Sequence, residues 1–323
     1  MDLPSHPARL LWAAILVGFG ATGAPAQTTC SLSLAATHTD PARTQIWATT
    51  AGEKALFFTA DLDVNTDGAA RSYHPDDPRG ERIALNNMGN AITRMFDAQG
   101  RDVTCSPRRG ACFTRFIETF EAARDAGYDP DGHPRVETRH IIPWRFNPAL
   151  GREAPCTIQS GPHAGYFVSQ TAMIVDPDAG ICDQRRYLDS LRMNAIVLPR
   201  RIDWRAQGVP TDGGDLVVLR DRGTHNVAFA LVGDRGPAHK IGEGTVALAA
   251  TLGGVGLAGT ETFQEIKRLA RPRVDYLIFP TRDVPRMTGG RFDQSTVDRL
   301  GREALEAFGG LARLEACAST LTP

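Results

Sequence analysis

The segment NVAFALVGDRGPAHKIGEGTVALA, residues 226 to 249, carries the pattern that decides the fold of this chain. Residues 226 to 234 alternate large apolar residues with small ones, which is typical of a strand with one buried face. Residues 235 to 244 form a loop interrupted by glycine and proline, and an alanine-rich helix follows. The segment therefore predicts a strand, a loop and a helix, with Asp234 at the strand end and Glu243 near the helix start.

Strand-like runs outnumber helical ones in the rest of the chain. Each is short, rich in β-branched and aromatic residues and bounded by Gly, Pro or Asp; the runs are residues 55–64, 165–176, 195–199, 215–221, 226–234 and 275–280. Helical periodicity is clearest at residues 113–127, 244–254 and 295–310. Because closure into a barrel removes the exposed edges of short strands, we predict a mainly β fold, a barrel with peripheral helices.

Composition limits the class of protein. The chain has 323 residues, of which 42% are hydrophobic and 23% charged, with a formal net charge of -1; these values are ordinary for a globular domain. A near-neutral chain lacks the basic face of most nucleic-acid-binding proteins, so we do not expect a nucleic-acid partner. No linker or fixed-period repeat divides residues 27–323, which we interpret as a single domain.

The first 26 residues have the layout of a secretory signal peptide. Arg9 supplies a positive charge, the apolar run LLWAAILVGFGATGA follows, and Ala24-Pro25-Ala26 provides a small-residue cleavage site. A membrane anchor is the alternative, but the run is interrupted by glycine and is shorter than the roughly 20 apolar residues that span a bilayer. We therefore expect a secreted or periplasmic protein with no membrane span in its mature chain.

Six cysteines follow the expected cleavage site, and an even number in an exported chain indicates disulfide bonds. Sequence alone does not decide among the connectivities. A bond between Cys105 and Cys112 would close a short loop, and one between Cys30 and Cys317 would join the termini. The remaining pair is Cys156 with Cys182. Since no C-x-x-C pair or Cys/His cluster occurs, we expect no zinc site, and no other cofactor is predicted.

Asp234 and Glu243 are candidate catalytic residues. Two carboxylates brought together across a loop suit glycoside hydrolysis, in which one protonates the leaving oxygen and the other activates water or attacks the sugar. The alternative is structural, because Asp at a strand end often caps a turn and Glu is favoured in a first helical turn. If the pair is catalytic, we expect Asp234, which leaves a buried strand, to be the acid and Glu243 the base. Lys240 is either solvated or paired with one of them.

A second acidic segment, DVNTDG at residues 63–68, begins like a calcium loop. A loop of the EF-hand type requires Glu at its twelfth position, where this chain has His74; a tight Asx turn is another alternative. We prefer a substrate-binding surface, because carboxylates beside an aromatic ring suit a polymer that carries ammonium groups. The candidate binding residues are Asp61, Asp63, Asp67, Tyr73, His74 and, from the loop, Lys240.

The segment VGDRGPAHKIGEGTVALA resembles the signature of glycoside hydrolase family 75, the fungal-type chitosanases, in which the Glu of a G-E motif follows the Asp of a G-D motif by nine residues. DLDVNTDGAARSYHPDD resembles the D-x-D-x-x-x-D-G segment of that family. Stretches similar to its bacterial members extend the resemblance over residues 55 to 316; they are IPWRF, GPHAGYFVSQTAM, RRYLDSLRMNAIVLP, GGDLVVLRDR, DYLIFP and VDRLGREALEAFGG. The resemblance implies an endo-acting hydrolase that cuts the β-1,4 bonds of chitosan or partly deacetylated chitin with inversion, using Asp234 and Glu243.

GDRGP before a helix also resembles double-psi barrel proteins such as rare-lipoprotein-A-like lytic transglycosylases and expansins. This resemblance implies a double-psi-like six-stranded β-barrel core and makes peptidoglycan an alternative substrate. The chain departs from the chitosanases in being almost neutral although chitosan is a polycation, and in carrying Pro237 and Lys240 in place of a glycine- and threonine-rich loop. The hypotheses are an exported chitosan hydrolase, a peptidoglycan-acting enzyme of lytic transglycosylase type, and a non-catalytic glycan-binding barrel.

Overall fold

The computed structural model describes residues 30–39, 43–200, 211–238 and 240–321. The predicted signal peptide, residues 1–26, lies outside the described residues. The strands of the described ranges are β1 (Leu32–His38), β2 (Thr44–Thr49), β3 (Leu56–Asn65), β4 (Arg94–Phe96), β5 (Arg135–Glu137), β6 (Trp144–Asn147), β7 (Arg152–Pro155), β8 (Ala195–Pro199), β9 (Asp215–Asp221), β10 (Val227–Gly236), β11 (Glu243–Thr245) and β12 (Arg271–Asp283).

Helices are fewer and lie around the strands. Their starts follow capping chemistry, as at Thr245, whose hydroxyl accepts a hydrogen bond from the N–H of Leu248 at the start of α3. The helices of the described ranges are α1 (Met88–Ala91), α2 (Ala111–Asp125), α3 (Val246–Gly253), α4 (Phe263–Lys267), α5 (Val284–Thr288), α6 (Gln294–Phe308) and α7 (Gly310–Thr320). None of the helices in these ranges is long and apolar enough to cross a membrane.

Six strands close into a central barrel in the order β3, β11, β8, β10, β9, β12, with β12 pairing back to β3. The pairing is mixed, because β11 is parallel to β3 and β10 is parallel to β8, whereas the other neighbours are antiparallel. The antiparallel strands β10 and β11 lie on either side of β8, and β3 and β8 lie on either side of β11. These two interlocked crossings form a double-psi arrangement, so the predicted fold class is confirmed.

The side chains of the barrel strands alternate between an inner and an outer core. Leu62, Ile196 and Val232 pack inside the barrel together with α3. On the outer face, strands such as β9 and β12 pack against α6 and α7, where Phe279 meets Phe308 edge to face. Two-faced burial explains why β8 and β9 read in the sequence as continuous apolar runs.

Residues 66–194, between β3 and β8, form an insertion with a small core of its own. Its apolar side chains come from α1, α2, β4 and β5, with Ile92, Phe116 and Phe120 fully buried. The insertion is tied to the barrel by specific bonds, one of them from the N–H of Met173 to the carbonyl of Gly233 at 3.0 Å. The insertion therefore covers part of the outer surface of the barrel.

The predicted elements match the structure except in one region. Residues 165–176 were predicted as a strand but take part only in isolated bridges at Phe167 and Ile174. That prediction is wrong because the backbone of this segment bonds to several different segments, including Tyr73, Cys156 and Gly233, rather than to one partner strand. The barrel strand that the sequence did not predict is β11, which is three residues long. Glu243 consequently begins a strand rather than a helix.

All three predicted disulfide bonds are present. Cys30 is bonded to Cys317 with a sequence separation of 287 residues, and the other two bonds close shorter loops within the insertion, Cys105–Cys112 and Cys156–Cys182. None of the six cysteines is free. Such a set is typical of proteins that fold in an oxidising compartment.

Candidate active site

Three acidic residues lie in one lateral row on the outer surface of the barrel. Asp234 of β10 and Glu243 of β11 are both in register with Val197 of β8, which runs between them, and Asp63 of β3 is in register with Glu243. Residues in register on neighbouring strands point to the same face of a sheet. Because Leu62, the neighbour of Asp63, faces the barrel interior, the row faces outward.

A β-bulge at Gly233 turns the side chain of Asp234 to the outer face of the barrel. Val232 and Asp234 pair with consecutive residues of β8, so β10 contains one extra residue at this point. Val232 faces the interior, and without the extra residue Asp234 would face the same way. A Cβ atom at position 233 would lie 2.6 Å from the Cβ of Ala195, so only glycine fits the bulge.

The acidic row forms the floor of a cleft of about 720 Å³ between the barrel and the insertion. Asp63, Asp234 and Glu243 line the barrel side of the cleft, and Asp67, from the start of the insertion, also lines it. The facing wall comes from the insertion, with polar side chains that include Tyr73, Asn86, Asn90, His140 and Gln170. The cleft therefore brings together four of the acids that the sequence singled out.

Asp234 is a half-buried carboxyl held by a backbone donor of the insertion. Its Oδ1 accepts a hydrogen bond from the N–H of Ala172 at 2.7 Å. Burial raises the pKa of Asp234 to about 6 against the opposing effect of backbone N–H groups, and the charge of Glu243 adds to the increase. A carboxyl with a pKa of about 6 is protonated in about half of the molecules at pH 6, which suits a general acid in mildly acidic solution.

Glu243 is paired with Lys240, whose ammonium bridges two carboxylates. The Lys240 Nζ lies 3.0 Å from Oε1 of Glu243 and 2.6 Å from Oδ2 of Asp63. Burial disfavours the charged amine, but the charges of Glu243 and Asp63 raise the pKa of Lys240 on balance. The other carboxylate oxygen of Glu243, Oε2, is buried without a hydrogen-bond partner among the described residues, and such a group often marks a functional position.

Asp67 lies in the same cleft and is held by the insertion. Its Oδ1 accepts a hydrogen bond from the Tyr73 hydroxyl at 2.7 Å, and that hydroxyl accepts one from Asn86 at 3.1 Å. Burial raises the pKa of Asp67 to about 7, and the nearby charge of Asp234 contributes, against the opposing bond from Tyr73. Since Tyr73 is 1% exposed, its ring supports Asp67 and offers no face to a sugar.

Two of the predicted binding residues lie elsewhere. Asp61 is exposed on the outer surface of β3 but does not line the cleft. His74 also lies outside it, with its ring against Tyr166 at a centroid distance of 4.6 Å and its Nδ1 accepting a hydrogen bond from the N–H of Asp76. The cleft thus contains Asp63, Asp67, Tyr73 and Lys240 of the predicted binding set, but not these two.

The calcium-like segment adopts a turn. The N–H of Asp67 donates to Oδ1 of Asn65 at 2.7 Å, as in an Asx turn, and Gly68 follows with a φ of 89°. In the part of the chain that the structure describes, no group of three or more His, Cys, Asp or Glu side chains is placed to hold a metal ion.

Sequence reasoning missed the cationic residues around the acids. Arg108, Arg200, Arg235 and Lys267 all line the cleft. They come from four separate segments, so no local motif joins them, and each one alone is typical of a solvated surface charge.

Together, the fold and the cleft define a class of site. It is a groove on the outside of a double-psi barrel, lined by carboxylates on its barrel side. Comparison of the sequence with protein-family models and with curated proteins gives no match. The resemblance to the fungal-type chitosanases therefore stays a prediction.

Proposed function

We propose that this protein is a glycoside hydrolase that cleaves internal β-1,4 bonds of an amino-sugar polymer by inversion, with chitosan and partly deacetylated chitin as the substrates implied by the sequence resemblance. The observation that carries the proposal is the placement of Asp234 and Glu243 on either side of Val197, facing one cleft. The three disulfide bonds support the further proposal that the protein works outside the cytoplasm, secreted or in the periplasm.

The spacing of the two acids fits inversion. Because β8 separates their strands, the Cα atoms of Asp234 and Glu243 are two strand spacings apart, or roughly 10 Å. Inverting enzymes hold their carboxyl groups about 6.5 to 9.5 Å apart, which leaves room for a water molecule beside the sugar, whereas retaining enzymes hold them at about 5 Å. A Cα separation of roughly 10 Å leaves room for such a water molecule, and the anomer of the first product distinguishes the two geometries.

The environments of the two acids assign their roles. Protonated Asp234 donates its proton to the glycosidic oxygen as the bond to the anomeric carbon breaks. Glu243, held in an ion pair with Lys240, accepts a proton from the water that attacks the same carbon from the opposite face. Each cycle leaves Asp234 ionised and Glu243 protonated, and proton exchange with solvent restores both groups.

A substrate screen with product analysis tests this proposal. We expect the purified protein to shorten chitosan or partly deacetylated chitin but not carboxymethyl cellulose, and NMR of the first products to show the α anomer from a β-linked polymer. Initial formation of the β anomer would overturn inversion. Anhydro products from peptidoglycan would instead identify a lytic transglycosylase, and binding without any product would identify a glycan-binding barrel.

Gly236 offers a test of the position of Glu243. A Cβ atom at 236 would lie 2.8 Å from Oε2 of Glu243 and 2.9 Å from Val197, so Gly236→Ala should displace the carboxylate. Because a shift of about 1 Å in a catalytic group costs on the order of 100-fold in rate, we expect kcat to fall by about that factor. Gly256→Ala is the matched control, since nothing lies within 4 Å of its added Cβ. Unchanged kcat for Gly236→Ala, with thermal unfolding as in the parent, would contradict the role of Glu243.

A further inference from the structure

Cationic side chains are as prominent in the cleft as acidic ones. Its lining includes four carboxylates, Asp63, Asp67, Asp234 and Glu243, and five cations, Arg108, Arg200, Arg235, Lys240 and Lys267. This balance is unexpected for a site that binds a polycation, because like charges in a cleft repel more strongly than on an open surface. The positive charge therefore bears on which substrate the site accepts.

Two of the five cations are neutralised by protein carboxylates. Lys240 bridges Asp63 and Glu243, and Arg235 pairs with Asp212 at 2.6 Å. The other three, which we call the cationic rim, are Arg108, Arg200 and Lys267. None of the three has a carboxylate within ion-pair distance among the residues that the structure describes, so their charge is available to a ligand.

Two members of the cationic rim are oriented by the protein. The Arg108 guanidinium donates to the carbonyl of Gly89 at 2.9 Å and lies 4.9 Å from the centre of the Phe116 ring. The Lys267 ammonium lies 4.8 Å from the centre of the Phe263 ring. These contacts reduce the conformational entropy that each side chain loses on binding an anion.

The cationic rim lines the same cleft as the acidic row. Lys267 ends α4, which packs against β3 at one side of the row, and Arg200 directly follows β8, close enough to Asp234 to affect its pKa. Arg108 lies in the insertion and lines the facing wall. A glycan whose scissile bond lies over Asp234 and Glu243 would place the substituents of its neighbouring sugars against these cations.

We propose that the cationic rim selects β-1,4 amino-sugar strands that carry carboxylate substituents, such as lactyl or carboxymethyl ether groups, over strands with free ammonium groups. This inference rests on the proposed glycosidase function and narrows its substrate class. A carboxylate on a sugar next to the cleaved bond pairs with Arg108, Arg200 or Lys267, whereas the ammonium groups of chitosan are repelled there.

Three derivatives of one polymer backbone test the inference: carboxymethyl chitin (anionic), glycol chitin (neutral) and glycol chitosan (cationic). At low ionic strength we expect kcat/KM to be about 10-fold higher for the anionic than for the neutral polymer and lowest for the cationic one, with the differences shrinking in salt. Peptidoglycan glycan strands freed of their stem peptides, which expose the lactyl carboxylates, then show whether a natural polymer shares the preference of the carboxymethyl derivative.

Substitutions in the cationic rim test whether it causes the preference for the anionic polymer. Arg108→Gln and Lys267→Gln should each lower the ratio of kcat/KM between the anionic and neutral polymers, whereas Arg299→Gln, an exposed pair member in α6, should leave the ratio unchanged. A ratio that survives in both rim variants, or a higher kcat/KM for glycol chitosan than for carboxymethyl chitin at low salt, would overturn the inference.

Failure of the proposed hydrolysis is a separate outcome. If none of the polymers is cleaved, the glycosidase proposal fails, and affinity electrophoresis of the unmodified protein through gels containing each polymer still tests the rim. Retardation by carboxymethyl chitin that weakens in Arg108→Gln would support anion selection, and stronger retardation by glycol chitosan would contradict it.

Discussion

Asp234→Asn is expected to lower kcat on the cleaved glycan by about 10²- to 10⁴-fold, the usual contribution of a general acid. The amide oxygen of Asn still accepts the hydrogen bond from Ala172, but the side chain has no proton to give to the leaving oxygen. Glu243→Gln should have an effect of similar size, because a neutral amide does not deprotonate water. Both are measured as initial rates of reducing-end formation, with thermal unfolding as the check on the fold.

Glu303→Gln provides the matched control, since this carboxylate is exposed in α6 and, among the described residues, forms its ion pair with Arg299. Asp67→Asn tests whether Asp67 or Asp234 is the proton donor, because Asp67 is also a buried acid with a raised pKa. We expect its effect on kcat to be smaller than that of Asp234→Asn. An equal or larger loss would make Asp67 the proton donor, and full activity of Asp234→Asn would remove Asp234 from the mechanism.

The assignment of Asp234 as the general acid predicts the direction in which kcat changes with pH. The general acid works only when protonated, and burial raises the pKa of Asp234 to about 6. The protonated fraction therefore falls as pH rises through 6, and kcat should fall with it on the alkaline side of the optimum. A profile of kcat against pH that rises between pH 6 and 8 would contradict this role.

Loss of the Cys30–Cys317 bond is expected to give the largest change in stability. The bond joins residues 287 positions apart, and in the chain-entropy model a loop of that length stabilises the fold by roughly 6 kcal/mol. Cys30→Ala/Cys317→Ala should therefore lower the free energy of unfolding in guanidinium by several kcal/mol. Alanine is the suitable replacement because Cys317 is fully buried in the outer core.

The paired control is Cys105→Ala/Cys112→Ala, which opens a loop with a sequence separation of only 7 residues. The same model gives roughly 2 to 3 kcal/mol for a loop of that size. Equal losses for the two double variants would show that loop length is not what sets the stabilisation by the longer bond.

Much of the fold was predictable because its signals are local. The runs 195–199 and 215–221 coincide with β8 and β9, since short β-branched segments bounded by Pro, Gly or Asp have few alternatives to a strand. Helix α6 was predicted within one or two residues at each end. The segment 165–176 failed, because its apolar residues satisfy the pattern of a strand while its backbone bonds to several partners.

The candidate site was also predictable from the sequence only in part. The sequence identified Asp234, Glu243 and Asp67 as chemically notable, and the structure places all three in one cleft. The sequence did not indicate that Tyr73 is buried beneath Asp67 or that His74 lies outside the cleft. Those outcomes depend on how the insertion packs against the barrel, which no local pattern encodes.

By itself, the sequence determined the barrel strands other than β11, the main helices and the two acids separated by a loop, and it indicated disulfide bonds without deciding their connectivity. These follow from residue type and from spacing over a few positions, which physical chemistry relates directly to local structure. Only the tertiary structure decided that Asp234 faces outward at the Gly233 bulge, that Val197 lies between the acids, and that a cationic rim lines the same cleft. The reason is that strand register, bulges and packing of the insertion depend on contacts between segments far apart in the chain, whose energies are summed only when the whole fold forms.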